Sequence, residues 1–417
     1  MPMRGDYDVL VIGGGPAGLA AAIKAKELGL TPLLIESRER LGGIPLQCIH
    51  TGFGIHYFKE DLTGTELTYR LLDEFEKLNI DYYTGAHVTD LATVSYLEKR
   101  IRAITTKGIL DVITPTVIYA AGARERHIFD IRVTGYRPSG IYTAGEAQTM
   151  MDIEGVMPGR EIVIVGSGDV GLIMARRFAL EGAKVKAVIE AMPYPGGLLR
   201  NVVQCLYDYN IPLHLNTSVT RVIGKKRVEK VIISQVNGDL RPVPRTEREI
   251  ECDTVIIAAG LRPYLPLLES KGVIIDPATG GPVVNDYLET SIPGVFASGN
   301  ALVINDLVDH VLEQGERAAE GAYVFIKNRG LPTVRFRRMV KGRNVRLIVP
   351  QYLSGDKDAI IYARAVKPMK DVAVYFPEIE KKISLPAVRP AEMIRVKLGK
   401  NEIAKSENEI RMELVPI

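Results

Sequence analysis

Two short stretches of this chain have the residue types and spacing to hold a dinucleotide. The first is VLVIGGGPAGLAAA, with Gly13, Gly15 and Gly18, and Glu36 closes the LLIE run that follows. The second is IVIVGSGDVGLIMA, with Gly166, Gly168 and Gly171, and Glu190 closes AVIE. In each, an apolar strand feeds a glycine turn and a helix, a second strand follows, and an acid stands about 20 residues on. The glycines make the turn, admit a pyrophosphate close to backbone, and let helix pack on strand. The helix N-terminus adds free N–H groups and partial positive charge. Glu36 and Glu190 are placed to bond ribose hydroxyls. A carboxylate at Glu190 repels a 2′-phosphate, and AMPYPGG after it brings no arginine cluster, so NAD(H) is expected there over NADP(H). Asp169 and Val170 lie inside the second turn, where Asp169 either meets the cofactor or caps the helix. One such unit binds one dinucleotide. A chain with two reads as holding two redox cofactors and passing electrons between them.

A third constellation is Cys48-Ile49-His50, within LGGIPLQCIHTGFGIHY. An imidazole two residues from a thiol can activate it as a nucleophile or redox partner. The same pair also reads as a small buried hydrophobe beside a hydrogen-bonded loop histidine, and the sequence leaves both open. Cys205, in the helical pattern LLRNVVQCLYDYN, and Cys252, at the start of a buried strand, read as core. Three cysteines without CxxC spacing support neither a zinc site nor a disulfide framework. His87, His127 and His214 have no companion at ligand spacing, so no metal is expected. His310 either meets a cofactor or stabilises a helix start, and the second reading is preferred.

These groups need elements to carry them. VLVI is continuously apolar, as suits a strand covered on both faces. Pro16 stands in the first turn of the helix, where its missing N–H costs nothing, and Ala17, Leu19, Ala20, Ala21 and Ile23 supply its packing face. Leu67, Leu71, Leu72, Phe75 and Leu78 predict a second helix over 65–78, and strand-like segments fill 81–119. TVIYAAGARER at 116–126 is echoed by TVIIAAGLRP at 254–263, each roughly a hundred residues after its own fingerprint. This reads as an internal duplication, with Ala121, Gly122 and Gly260 in turns that bring backbone close to a ligand. GVFASGN and a helix over 306–327 follow. Beyond Gly330, short alternating segments read as a small β domain. The basic stretch RFRRMVKGRNVR reads as a solvated linker face ahead of a docking patch for an acidic partner.

The bulk composition agrees. A length of 417 residues suits two to three domains, and 46% hydrophobic content supplies their cores. With 53 basic against 50 acidic residues, the net charge of +3 argues against nucleic acid or a polyanionic substrate. MPMRGDYD enters the first strand without a signal peptide, and no apolar run approaches about 18 residues. A cytoplasmic enzyme with no integral membrane segment is expected.

The order GGGPAG…E, LGG at 41–43, AAGAR, GSGDVG…E, AAGLRP and GVFASGN resembles the thioredoxin reductase-like pyridine nucleotide–disulfide oxidoreductases over residues 6–330. The resemblance implies an α/β fold of two Rossmann-like FAD/NAD(P)-binding domains with a small β-rich C-terminal domain. Residues 1–126 and 266–330 would hold FAD, 127–265 would hold NAD(H), and 331–417 would be the β-rich domain. It implies a flavin site drawn from Gly13, Gly15, Pro16, Ala17, Gly18, Glu36, Ser37, Arg38, Gly42, Gly43, Val88, Ala121 and Gly122. Gly299 and Asn300 would bind the ribityl and phosphate portion, and the helix after 306 would point its N-terminus at the flavin. The family usually has Asp at position 300; Asn keeps an acceptor oxygen and loses the charge. The departures carry more weight. No CxxC lies between 125 and 265, and only Cys48 follows the LGG, so a dithiol pair within this chain is excluded.

GGIPLQCIHTGFGIHYFKEDLTG is similar to the QCIH-x-GFG segment of FAD/NAD-dependent oxidoreductases encoded with glycerol-3-phosphate dehydrogenase and glycerol kinase. More distant likeness is to the α subunits of proline dehydrogenase, opine oxidase and hydrogen cyanide synthase, which often carry a cysteine-rich iron–sulfur extension. This chain has no cysteine after Cys252. The resemblance implies a hetero-oligomer with an FAD-dependent glycerol-3-phosphate dehydrogenase-type subunit. Any iron–sulfur or cysteine-bearing chemistry would come from a further small partner. Two rivals remain: a stand-alone NADH oxidase or single-cysteine thiol/disulfide reductase using Cys48, and a non-catalytic nucleotide-binding assembly subunit, suggested by Asn300.

Overall fold

The structure, a computed structural model, describes residues 3–4 and 7–417. The expected start at MPMRGDYD falls partly on residues 1–2 and 5–6, outside the described residues. Among the described residues no helix is long and apolar enough to cross a membrane.

The first fingerprint folds as strand β1 (Val9–Ile12), helix α1 (Pro16–Glu27) and strand β2 (Pro32–Ile35). β1 and β2 are buried at every position, as their unbroken apolar runs require. Gly15 is the extended N-cap of α1 and Pro16 takes its first helical position. Helix α2 (Gly64–Lys77) begins in a capping box in which Thr63 and Glu66 bond each other's backbone N–H. Strands β3 (Asp81–Tyr83) and β4 (Thr116–Tyr119) complete this first run.

The second fingerprint repeats the plan. β5 (Ile141–Thr143) leads to β6 (Glu161–Val165), helix α3 (Asp169–Leu180), β7 (Lys184–Ile189), β8 (Leu213–His214) and β9 (Thr254–Ile257). The chain then returns through β10 (Val295–Ala297) to the long helix α4 (Val308–Asn328). The two parallel sheets have matching orders, β10-β4-β1-β2-β3 and β5-β9-β6-β7-β8. Each unit also carries a four-stranded accessory sheet, built mainly from His87–Ser95, Glu98–Thr105 and Gly108–Thr114 in one, and Thr217–Ile223, Lys230–Gln235 and Arg248–Glu251 in the other. The duplication read from the AAG echoes is therefore a duplication of whole sheets.

The first unit comprises the chain up to Ala123 together with Pro263–Ile417; the second is Arg124–Arg262. The chain leaves through Ala123–Glu125 and returns through Leu261–Pro263, and these segments pair with each other. Tyr264 N donates to Gly122 O, and Arg126 N to Gly260 O, both at 3.0 Å.

Residues beyond 330 build a five-stranded and a three-stranded sheet, the latter including β11 (Ala359–Ala365) and β12 (Ile394–Leu398). Their own core contains Ile361, Val374, Phe376 and Leu414. Leu347, Val349, Tyr362 and Met393 instead join the core of the first unit, so this region packs as part of that unit. A polar seam reinforces it. Buried Asp286 accepts from Ser354 N and Oγ at 3.1 and 2.7 Å, and Tyr287 Oη donates to Asp356 at 2.6 Å. The basic stretch is not a linker, as the sequence suggested. It forms strands Arg337–Lys341 and Val345–Val349, whose alternation buries Met339 and Leu347 and leaves Arg338, Lys341 and Arg346 exposed.

Candidate dinucleotide sites

In the first unit a Cβ on Gly13 would stand 2.4 Å from Ala120 O, and one on Gly18 only 1.8 Å from Gly13 O. Strand, turn and helix thus meet at backbone contact distance, which only glycine allows. Gly15 differs: a Cβ there would find nothing nearer than Gly43 Cα at 3.9 Å. The space in front of the α1 N-terminus is open, and no side chain caps that end. Gly42 N donates to Gly14 O at 2.7 Å, so the LGG segment lies along the turn, with Gly43 against Gly15. Gly299 lies over the first turn of α1, where a Cβ would come within 2.7 Å of Ala17 Cβ, and its φ is +63°.

Glu36 is buried, and its Oε2 accepts from Gly14 N at 2.6 Å. Its Oε1 accepts from Arg38 N at 2.7 Å and Ser37 Oγ at 3.1 Å. Ala86 N bonds Glu36 O and Gly85 N bonds Arg38 O, which brings the strand bearing Val88 alongside. Ala121 and Gly122 leave the carboxyl end of β4, beside β1. Asn300 Oδ1 accepts from Asn305 N at 2.9 Å, so the amide oxygen orders the loop leading into α4.

The second unit repeats this geometry. A Cβ on Gly166 would sit 2.3 Å from Ala258 O, one on Gly171 2.6 Å from Gly166 O, and one on Gly168 would meet nothing within 4 Å. Glu190 is buried; its Oε2 accepts from Ser167 N and Oγ at 2.9 and 2.6 Å, and its Oε1 from Met192 N at 2.9 Å. Both acids therefore hold their own glycine turns. The sequence pattern assigns them to ribose alone and gives no role to Ser167, whose hydroxyl also accepts from Gly196 N at 2.8 Å. A hydroxyl between the first two fingerprint glycines is the signal that could have found it. Asp169 does not cap α3; Gly168 is the N-cap. Asp169 Oδ1 instead accepts from Leu198 N and Asn201 Nδ2 at 2.8 and 2.7 Å, anchoring the loop over the turn. Val170 is exposed, and Gly260 leaves β9 with open space at its Cβ position.

Cys48 ends a short 3-10 turn, buried, with Sγ 3.6 Å from Ile44 O. His50 Nδ1 lies 2.9 Å from Thr51 O, and its ring packs on Phe53. Cys205 and Cys252 lie in the cores of the second unit. Burial pushes their thiols up to about 11 and about 12. Among the described residues no His, Cys, Asp and Glu cluster at metal-holding distance.

Three buried polar atoms between β10 and the first turn of α4 lack partners: Ser298 Oγ, Asp309 Oδ2 and His310 Nδ1. Asp309 Oδ1 is occupied, accepting from His56 N and Tyr57 N. His310 sits in the first turn of α4 with its ring 5.7 Å from Tyr362, and burial lowers its pKa. The α4 N-terminus has no side-chain cap. Orphaned polar atoms, uncapped helix ends and glycines facing open space are what a polar, phosphate-bearing ligand requires.

A family model described as pyridine nucleotide-disulphide oxidoreductase matches residues 7–322. The chain belongs to the pyridine nucleotide-disulphide oxidoreductase family. Its homologues are FAD- and NAD(P)-dependent oxidoreductases, and the open cradles at Gly15 and Gly168 fit such cofactors. Among curated relatives, mitochondrial dihydrolipoyl dehydrogenase of Caenorhabditis elegans is 27% identical over 346 residues, 76% of this chain and 67% of that protein. One of the opine oxidase subunits of Agrobacterium tumefaciens is 26% identical over 318 residues, 70% of this chain and 61% of that protein. The chain thus spans about two thirds of these relatives or less. Thioredoxin reductase of T. acidophilum shares the fold, with TM-score 0.63 and 24% identity, covering 76% of this chain and 98% of that one. L-proline dehydrogenase of P. horikoshii does so with TM-score 0.55 and 21% identity, covering 80% and 57%.

Proposed function

We propose that this oxidoreductase moves hydride between NAD(H) and FAD and exchanges the electrons with a partner protein of the FAD-dependent glycerol-3-phosphate dehydrogenase type, as one subunit of their complex. When bound, the flavin supplies two-electron chemistry with the nicotinamide. The chain's residues bind and orient: the α1 and α3 N-termini offer N–H groups to phosphates, and Glu36 and Glu190 fix the turns that present them. The carboxylate of Glu190 also disfavours a 2′-phosphate, which supports NAD(H). The observation that carries the proposal is the lack of a dithiol. Of three cysteines, two are core thiols whose pKa values lie far above neutrality, and no second cysteine lies near Cys48 in the sequence. A protein of this family without a redox pair needs another outlet for its electrons. Purification from the native cell, with mass identification of partners and a visible spectrum, tests this. The expected result is a flavin spectrum bleached by NADH, together with a co-purifying dehydrogenase. A lone, flavin-free chain refutes the proposal.

A second reading makes Cys48 the redox thiol of a single-cysteine reductase. It draws on a relative named NAD(P)H sulfur oxidoreductase (CoA-dependent) from Pyrococcus abyssi, 27% identical over 303 residues. Cys48→Ser separates the two. Under the first reading NADH-to-partner activity survives; under the second, turnover of a mixed disulfide is lost while NADH-to-dye activity remains.

A further inference from the structure

The C-terminal β region holds the loop and helix start that lie between the Gly299–Asn300 cradle and the body of α4. Arg364, on β11, donates to Ile304 O at 3.1 Å, to Asp306 Oδ1 at 3.2 Å and to Pro390 O at 2.9 Å. The Arg364–Asp306 ion pair is largely buried, with side-chain exposures of 13% and 8%. Asp306 Oδ2 accepts from Met393 N at 3.1 Å. One turn into the helix, Glu313 accepts from Arg395 Nε and Nη2 at 2.9 and 2.5 Å and from Tyr362 Oη at 2.5 Å. Tyr362 and Arg395 face each other across the β11–β12 ladder, so one pair of strands presents both donors. Arg317, a further turn on, donates to Ile360 O at 3.3 Å. The region thus holds residues 304, 306, 313 and 317 from one side.

We infer that Arg364 is a positioning residue for the flavin: through Asp306 and the Ile304 carbonyl it fixes where the uncapped N-terminus of α4 points. This rests on the flavin reading above. A buried guanidinium with its fork spread over one carboxylate and several carbonyls tolerates little movement of any of them. A helix N-terminus acts on a charged ligand only over its first turn, so a small displacement changes what it contributes. The β region is therefore part of the cofactor site, although none of its side chains need touch the cofactor.

The test uses the full chain and measures FAD dissociation and the flavin midpoint potential in Arg364→Gln, Asp306→Asn and the double variant. Both single variants are expected to weaken FAD binding by about three- to tenfold; Arg364→Gln, which removes a positive charge, should also make the potential more negative, and Asp306→Asn, which removes a negative one, should shift it less or in the opposite sense. The double variant should be no worse than the weaker single one, and Arg364→Lys should recover part of the loss. Either single variant folding with unchanged FAD affinity and unchanged potential overturns the inference. If Arg364→Gln fails to fold, the nearly isosteric Asp306→Asn decides alone. Failure of the unaltered chain to bind FAD refutes the flavin reading itself, an outcome visible before any variant is made.

Discussion

Gly168→Ala separates what the protein needs from what its ligand needs. The residue is the N-cap of α3 with φ −64° and ψ 164°, a conformation alanine adopts freely. Its added methyl would meet no protein atom within 4 Å. The cost to the ligand-free fold is therefore only that of a poorer N-cap, about 0.5–1 kcal/mol. With NAD(H) present the methyl occupies the space from which pyrophosphate reaches the helix N–H groups. A hydrogen bond to a charged group contributes about 1.5–3 kcal/mol, so losing one predicts a roughly 10- to 150-fold weaker complex. The assay is anaerobic stopped-flow reduction of the flavin against NADH concentration, alongside NAD⁺ titration and thermal unfolding. Flavin content and melting should stay close to the unaltered chain while the NADH dependence moves. Gly171→Ala is the control of opposite sign, since its methyl would lie 2.6 Å from Gly166 O and must push α3 off the turn without any ligand. Unchanged NADH affinity in Gly168→Ala would refute the assignment of this cradle to the nicotinamide cofactor.

Gly15→Ala should act the same way on the first site, releasing FAD from a chain whose ligand-free melting is little changed, as read by flavin fluorescence after gel filtration. Burial raises the carboxyl of Glu289 from 4.5 to about 7. The folded chain then holds a proton the unfolded chain has lost, so stability is full below about 4.5 and falls as pH rises towards 7, by about 3 kcal/mol. Glu289→Gln should flatten the stability–pH profile across that window, and an unaltered slope would count against it. Maleimide labelling of the native chain at pH 8, followed by peptide mapping, should leave Cys205 and Cys252 unmodified until denaturant is added, because both thiols are buried and protonated.

Much of this was legible in the residues. Continuous apolar runs, glycine spacing and the repeated AAG turns identified both Rossmann halves, because those features have one low-energy solution: a buried parallel strand feeding a tight turn. What local pattern could not convey was tertiary choice. Asp169 is a good helix-capping type at a helix start, yet it bonds Leu198 N and Asn201, since a loop about 30 residues away competes for the same oxygen. The basic stretch 335–346 reads as linker because its charges dominate, while Met339 and Leu347 alternate too sparsely to announce strands. The grip of Arg364 on Ile304 and Asp306 joins residues some 60 apart and leaves no trace in local sequence.

The paired strands at Ala123–Glu125 and Leu261–Pro263 set the order in which the protein can be assembled. The second unit is one continuous stretch, complete once residue 262 has emerged from the ribosome. The first unit, begun earlier, still lacks β10 at its sheet edge and α4, the helix that lies against α1 through Gly315 and Ala17. Its apolar strands β1 and β4 must wait, partly uncovered, while the 175 residues from 120 to 294, the whole second unit among them, are made. During synthesis the second unit can therefore close while the first is still open, and the unit started first is finished last.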